Sequence, residues 1–122
     1  MKDFKTRDNG TNAAIRAHVL SDRRMRELGF TDYAKDTWYF CRMLHPIKYE
    51  ISFNVSIKKN NPDDLRIDIL DEDFLQPYDY QYMLSNGSTN KVALAVKEQV
   101  DKLMMYLIDN GVLSNWQVGD YV

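Results

Sequence analysis

The clearest pattern in this chain is an alternation of apolar and polar residues between positions 47 and 58. The apolar members of that run are Ile47, Tyr49, Ile51, Phe53, Val55 and Ile57. Such alternation buries one face of a strand and leaves the other in water, as is typical of antiparallel sheets. The β-rich runs 37–44 and 65–69 lie on either side, joined to it by short turn-forming segments. Together the three runs predict an antiparallel β-meander.

A second periodicity, that of an α-helix, begins after position 90. Its stripe of apolar residues, spaced three or four apart, consists of Val92, Val96, Val100, Leu103 and Leu107. We expect one of Ser88, Thr89 or Asn90 to cap this helix, and Asn110-Gly111 to end it. A helix of this length must bury its stripe, and the apolar face of the sheet is the surface available for it.

The first third of the chain predicts a helical region behind a flexible segment. Residues 1–12 are polar and expected to be loosely ordered, and residues 13–122 are expected to form a single domain. Apolar residues after position 12 suggest a first helical segment. Ser21 is expected to cap a second one over residues 22–28, which Gly29 ends. The predicted fold class is therefore α+β, with an N-terminal helical region, a three-stranded meander and a long C-terminal amphipathic helix.

Composition narrows the functional classes. The 122 residues carry a formal net charge of -2, so no overall field attracts nucleic acid or an anionic membrane. The N-terminus lacks the apolar core of a signal peptide, and no run approaches the length of a membrane helix, which predicts a cytoplasmic protein. The single cysteine, Cys41, is expected to be a small buried residue. No motif for a cofactor is found, and none is predicted.

Acidic and aromatic residues are concentrated between positions 65 and 83. Three tyrosines spaced two apart would share one face if their segment were extended, as a short fourth strand over residues 78–83. Half-buried tyrosines also occur at core edges, so both interpretations stay open. The functional interpretation is a surface for an unknown protein partner, or for a second copy of the chain. The predicted contact residues are Tyr78, Tyr80, Tyr82, Asp79, Asp71 and Asp73.

Two alternatives use charged residues. The N-terminal helical region carries four arginines that could contact phosphates, namely Arg16, Arg23, Arg24 and Arg26. Acidic neighbours and the sequence pI of about 5.6 favour a solvated helix face instead. The second alternative is a metal-dependent hydrolase that uses the carboxylates between Asp68 and Asp73. Their spacing matches no calcium loop, so a solvated strand end that discourages aggregation is favoured.

Three segments carry a resemblance to known proteins: Asp36-Thr37-Trp38-Tyr39-Phe40, residues 65–82, and Asp109-Asn110-Gly111-Val112-Leu113. They resemble small uncharacterised proteins of Gram-positive bacteria and their prophages, over most of residues 30–122. Because the resemblance includes no known activity, it assigns a role to no residue. What it implies is an accessory protein of a mobile element that works by binding.

Overall fold

An antiparallel four-stranded sheet is the centre of the computed structural model, which describes residues 5–45, 47, 49–85 and 89–122. In chain order the elements are β1 (Arg16–Ala17), α1 (Asp22–Glu27), β2 (Thr37–Met43), β3 (Ile51–Lys58), β4 (Asn61–Asp71), β5 (Gln76–Pro77), α2 (Tyr80–Ser85), α3 (Lys91–Asp109) and β6 (Leu113–Ser114). The main sheet has the order β2-β3-β4-β5, and β1 pairs with β6 in a separate two-stranded sheet.

The predicted meander is confirmed in β2, β3 and β4, which pair in sequence order. Phe53 and Val55 of β3 are buried in the core, whereas Asn54 between them lies on the opposite, partly exposed face. The strand begins later than its alternation predicts, at Ile51 rather than residue 47. The chain bends at Tyr49, so the regular pairing with β4 extends only as far as Ile51.

The long C-terminal helix is also confirmed. The Asn90 side chain caps α3 by accepting hydrogen bonds from the Val92 and Ala93 amides. Gly111, with a φ of 79°, follows the end of the helix. The apolar stripe of α3 joins the core, and the Tyr106 ring stacks on Phe40 of β2 with centroids 6.2 Å apart. Within the described ranges, no helix has the length and apolar character that crossing a membrane requires.

The N-terminal helical region is shorter than predicted. α1 is present and capped by Ser21, but the segment before it is irregular and includes β1. The Asn12 carboxamide accepts a hydrogen bond from the Ala14 amide, which favours a turn over a helix. Ala17 of β1 then pairs with Leu113 of β6. This pairing depends on a segment almost a hundred positions away, which local sequence does not reveal.

The segment expected to be flexible is attached to the sheet in its described part, which begins at residue 5. The Arg7 guanidinium donates to the Asn12 carbonyl at 2.8 Å. Two further hydrogen bonds bind the outer edge of β4. Asn9 donates to the Leu65 carbonyl at 2.9 Å, and the buried Thr11 hydroxyl accepts from the Ile67 amide at 3.0 Å. These residues therefore satisfy backbone groups that an edge strand would otherwise expose.

A short fourth strand exists, but it is not the one predicted. The strand is β5, Gln76–Pro77, and the predicted stretch 78–83 instead contains most of α2. The Asp79 carboxylate accepts a hydrogen bond from the Tyr82 amide at 3.0 Å, which is the geometry of an N-cap. The cap starts a helix where the alternating tyrosines suggested a strand.

Candidate functional site

The tight connection between β4 and β5 exposes two large apolar side chains. Asp71 pairs with Gln76, and the residues between them, 72–75, form what we call the hairpin tip. Phe74 is 74% exposed and Leu75 is 84% exposed. Leu75 also has a φ of 52°, a left-handed backbone that costs a non-glycine residue roughly 1 kcal/mol. The tip therefore holds an apolar pair in water at a conformational cost.

Hydrogen bonds that involve Asp71 and Glu72 fix the shape of the hairpin tip. One Asp71 carboxylate oxygen accepts from the Asp73 amide at 3.0 Å and from the Phe74 amide at 3.3 Å. The Glu72 amide donates to the Glu50 carbonyl at 2.8 Å, and the buried Ser52 hydroxyl donates to the Glu72 carboxylate. The carboxylates that the sequence assigns to a solvated strand end thus form the structural support of the tip.

The three tyrosines of the predicted surface differ widely in burial. Tyr80 is only 4% exposed and packs in the core against the Tyr121 ring, with centroids 5.4 Å apart. Burial raises the pKa of its phenol well above the usual value. Tyr78 is half-buried, and its pKa is also raised, mainly by burial and to a smaller extent by the nearby Tyr49. Of the three, only Tyr82, at 68% exposed, offers a substantial surface to a partner.

The acidic residues between 68 and 73 have separate contacts. Asp68 is 3.4 Å from the Arg66 guanidinium, and Asp71 and Glu72 make the hydrogen bonds of the tip. Asp73 is exposed. Across the described part of the chain, no three His, Cys, Asp or Glu residues are grouped so that they could hold a metal ion. The geometry required by the hydrolase alternative is therefore not found among these carboxylates.

A shallow groove of about 570 Å³ runs across the sheet face that points away from the core. We call this the open face; it is lined by side chains that include Tyr39, Cys41, Asn54, Ser56, Arg66 and Asp68. The Asn54 carboxamide donates to the Ser52 hydroxyl at 2.8 Å, which links this face to the hairpin tip. The prediction that Cys41 is buried is wrong, since its position in β2 directs it to the open face. Partial burial and the charge of Glu72 raise the pKa of the Cys41 thiol, which disfavours the nucleophilic thiolate.

The four arginines of the nucleic-acid alternative do not form one surface stripe. Arg23 and Arg24 both contact Glu27, at 3.0 and 3.3 Å. Arg26 makes a bidentate pair with Asp32, at 2.8 and 2.9 Å. Arg16 donates to the Ala13 carbonyl at 2.7 Å. Three of the four guanidiniums are paired with a carboxylate, although Arg23 and Arg24 share the one of Glu27, so part of the positive charge is offset and the electrostatic support for phosphate binding is reduced.

Sequence reasoning missed Phe74 and Leu75, although signals for them were present. An aspartate at position 71, whose side chain can bind amides two or three residues ahead, is typical of a turn. Pro77 is confined to sheet edges and strand starts, which also indicates a connection just before it. An apolar pair inside such a turn cannot reach the core and is therefore exposed.

Comparisons with known proteins bear on the fold. No family model matches the chain, and no curated protein matches its sequence. Among solved structures, the chain is similar to a DUF1831 family protein from Lactobacillus plantarum, with a TM-score of 0.60 and 15% identity over 81% of this chain and 82% of that one. At this identity the likeness concerns the fold alone. That protein comes from a Gram-positive bacterium and belongs to a family of unknown function.

Proposed function

We propose that this protein is a non-enzymatic interaction module that binds a protein partner through its hairpin tip. The observation that carries the proposal is the exposure of Phe74 and Leu75, with Leu75 held in a left-handed backbone. Strain of this kind persists where a site requires it. The short hairpin accounts for a left-handed residue at this position, where Gly or Asn would cost less, and a binding role explains why an exposed apolar side chain stands there instead.

The energetics of the tip support binding. Burying a Phe and a Leu side chain against a partner contributes about 1.5–3 kcal/mol each. Because Asp71 and Glu72 already fix the loop, little conformational entropy remains to be lost on association. The proposed contact surface consists of Phe74 and Leu75 with the exposed Asp73 beside them. Tyr80, which the sequence placed in this surface, is excluded by its burial in the core.

Substitution of Leu75 by glycine separates binding from stability. Leu75→Gly removes the apolar side chain and relieves the left-handed backbone, so the free energy of unfolding should stay level or rise by up to about 1 kcal/mol. Partners are captured from the source cell and identified by mass spectrometry. Specific proteins captured by the wild type should be missing when Leu75→Gly or Phe74→Ser is used. Denaturant titration measures the stability of each variant.

Tyr33→Ser supplies the matched control for this experiment. Tyr33 is 90% exposed and lies in the loop before β2, away from the hairpin tip in sequence, so its loss should leave capture intact. Retention of the same proteins by all three variants would contradict the proposal. So would a large fall in the stability of Leu75→Gly, because it would assign Leu75 a structural role.

The proposal extends to the biological setting implied by the sequence resemblance. An accessory protein of a mobile element acts on proteins of the element or of its host, which suits a small binding module. The genes that neighbour this one provide the test, since phage genes on both sides would support that setting and housekeeping genes would oppose it.

A further inference from the structure

The segment that contains the hairpin tip is rich in carboxylates. Residues 67–90 contain no Lys or Arg, and their carboxylates are Asp68, Asp71, Glu72, Asp73 and Asp79. In the adjoining loop, the Glu50 carbonyl is bound to the tip, and Lys48 lies outside the described residues. The exposed apolar pair thus lies beside the carboxylates of Asp71, Glu72 and Asp73 in the chain.

Resting on the proposed function, we infer that the partner presents apolar side chains flanked by Lys or Arg. The apolar side chains cover Phe74 and Leu75, and the flanking cations face the carboxylates beside them. Complementary charge at the rim of an interface steers association and selects the partner, while the buried apolar anchors supply most of the affinity.

The same charges disfavour two other occupants. A second copy of the chain, docked tip to tip by a two-fold axis, would bring like carboxylates together without compensation. A membrane containing anionic lipids has a negative surface and repels the tip, although Phe74 and Leu75 are apolar enough to insert. A basic-rimmed protein surface is the occupant that satisfies both the apolar and the charged parts.

A library of random peptides displayed on phage provides the probe. Selection uses the wild-type chain, with counter-selection on the double variant Phe74→Ser/Leu75→Gly. We expect enriched sequences in which Lys or Arg flank apolar residues, and synthetic copies whose affinity falls as salt rises. Asp73→Lys should weaken the binding of these peptides on the order of fivefold at low salt. Asp64→Lys, at an exposed site on β4, should leave their affinity unchanged.

The outcomes distinguish the inference from the proposed function. If the enriched peptides depend on the tip but are acidic or uncharged, the inference of a basic partner is overturned, and the proposed docking role of the tip is not. Enrichment of no tip-dependent sequence would overturn both. Binding of the wild type, but not the double variant, to vesicles of phosphatidylcholine and phosphatidylserine would replace the protein partner with a membrane. Tip-dependent dimerisation in sedimentation analysis would replace it with a second copy.

Discussion

At the scale of single residues, Asp32 shows how a surface charge is fixed by its neighbours. Arg26 binds both of its oxygens, and the Lys59 ammonium lies 2.9 Å from one of them. Both cations also lie over the Trp38 ring, at 5.1 and 4.2 Å from its centroid. The hydrogen bonds from Arg26 and then Lys59 hold the pKa of Asp32 far below its usual value.

This lowered pKa predicts an acid-dependent contribution to stability. Because the pKa of Asp32 is lower in the folded chain than in the unfolded chain, where it is about 3.9, the contribution is complete above that pH and is lost as the pH falls below it. Asp32→Asn should therefore lower the free energy of unfolding at pH 7 and reduce its decrease between pH 4 and pH 2. Denaturant titrations at several pH values measure both effects.

Asp64→Asn removes the same charge from an exposed site and serves as the comparison. Equal pH profiles for Asp32→Asn and the wild type would show that this cluster does not contribute to acid sensitivity.

Residue by residue, the candidate site was only partly predictable. The sequence drew attention to the acidic and aromatic segment, but its contact residues were three tyrosines and three aspartates and did not include the exposed Phe74 and Leu75. Tyr80 is buried and Tyr82 is exposed because both belong to α2, and residues two positions apart lie on different sides of a helix. Local alternation cannot reveal this when a capping residue such as Asp79 starts a helix.

At the scale of elements, α1 is ended by a glycine whose neighbourhood is crowded. Gly29 has a φ of 106°, and the Phe30 amide behind it donates to the Met25 carbonyl at 3.0 Å. A Cβ at Gly29 would lie 2.1 Å from a terminal nitrogen of Arg42. That guanidinium lies over the Phe40 ring at 4.2 Å, so displacing it would remove a cation–π contact.

The contrast between two glycines tests this account. Gly119 has a φ of 104° but no atom within 4 Å of an added Cβ, so Gly119→Ala carries the backbone cost alone. Gly29→Ala should reduce the free energy of unfolding by about 1 kcal/mol more than Gly119→Ala, as measured in denaturant. In an Arg42→Ala background the two costs should become similar. A difference that persists there would assign the effect to something other than Arg42.

Elements with strong periodicity were predictable, and those set by tertiary contacts were not. The stripe of α3 and the alternation of β3 each require burial of one face, so the pattern reports the structure directly. β1 and β5 contain two residues each, which is too short to produce a pattern. Their existence depends on partners elsewhere in the chain, β6 for one and β4 for the other.

At the scale of the whole molecule, the exposed apolar residues of the hairpin tip are separate from the core. The core cluster draws buried side chains from the sheet, the helices and the irregular segments, whereas Phe74 and Leu75 lie outside it. The architecture was predictable because one apolar sheet face and one apolar helix stripe have few ways to be buried together.

The two-stranded sheet of β1 and β6 has a kinetic consequence. It joins Ala17 to Leu113, and closing a loop of almost the whole chain costs about 4 kcal/mol of chain entropy. Two pairs of residues cannot offset that cost before the rest of the core exists, so we expect this sheet to form last during folding and to open first.

In native-state hydrogen exchange, the His18 amide, which donates to the Val112 carbonyl at 2.8 Å, should exchange through smaller openings than the Val55 amide of β3. Equal opening energies for the two amides would show instead that the chain closes in a single cooperative step.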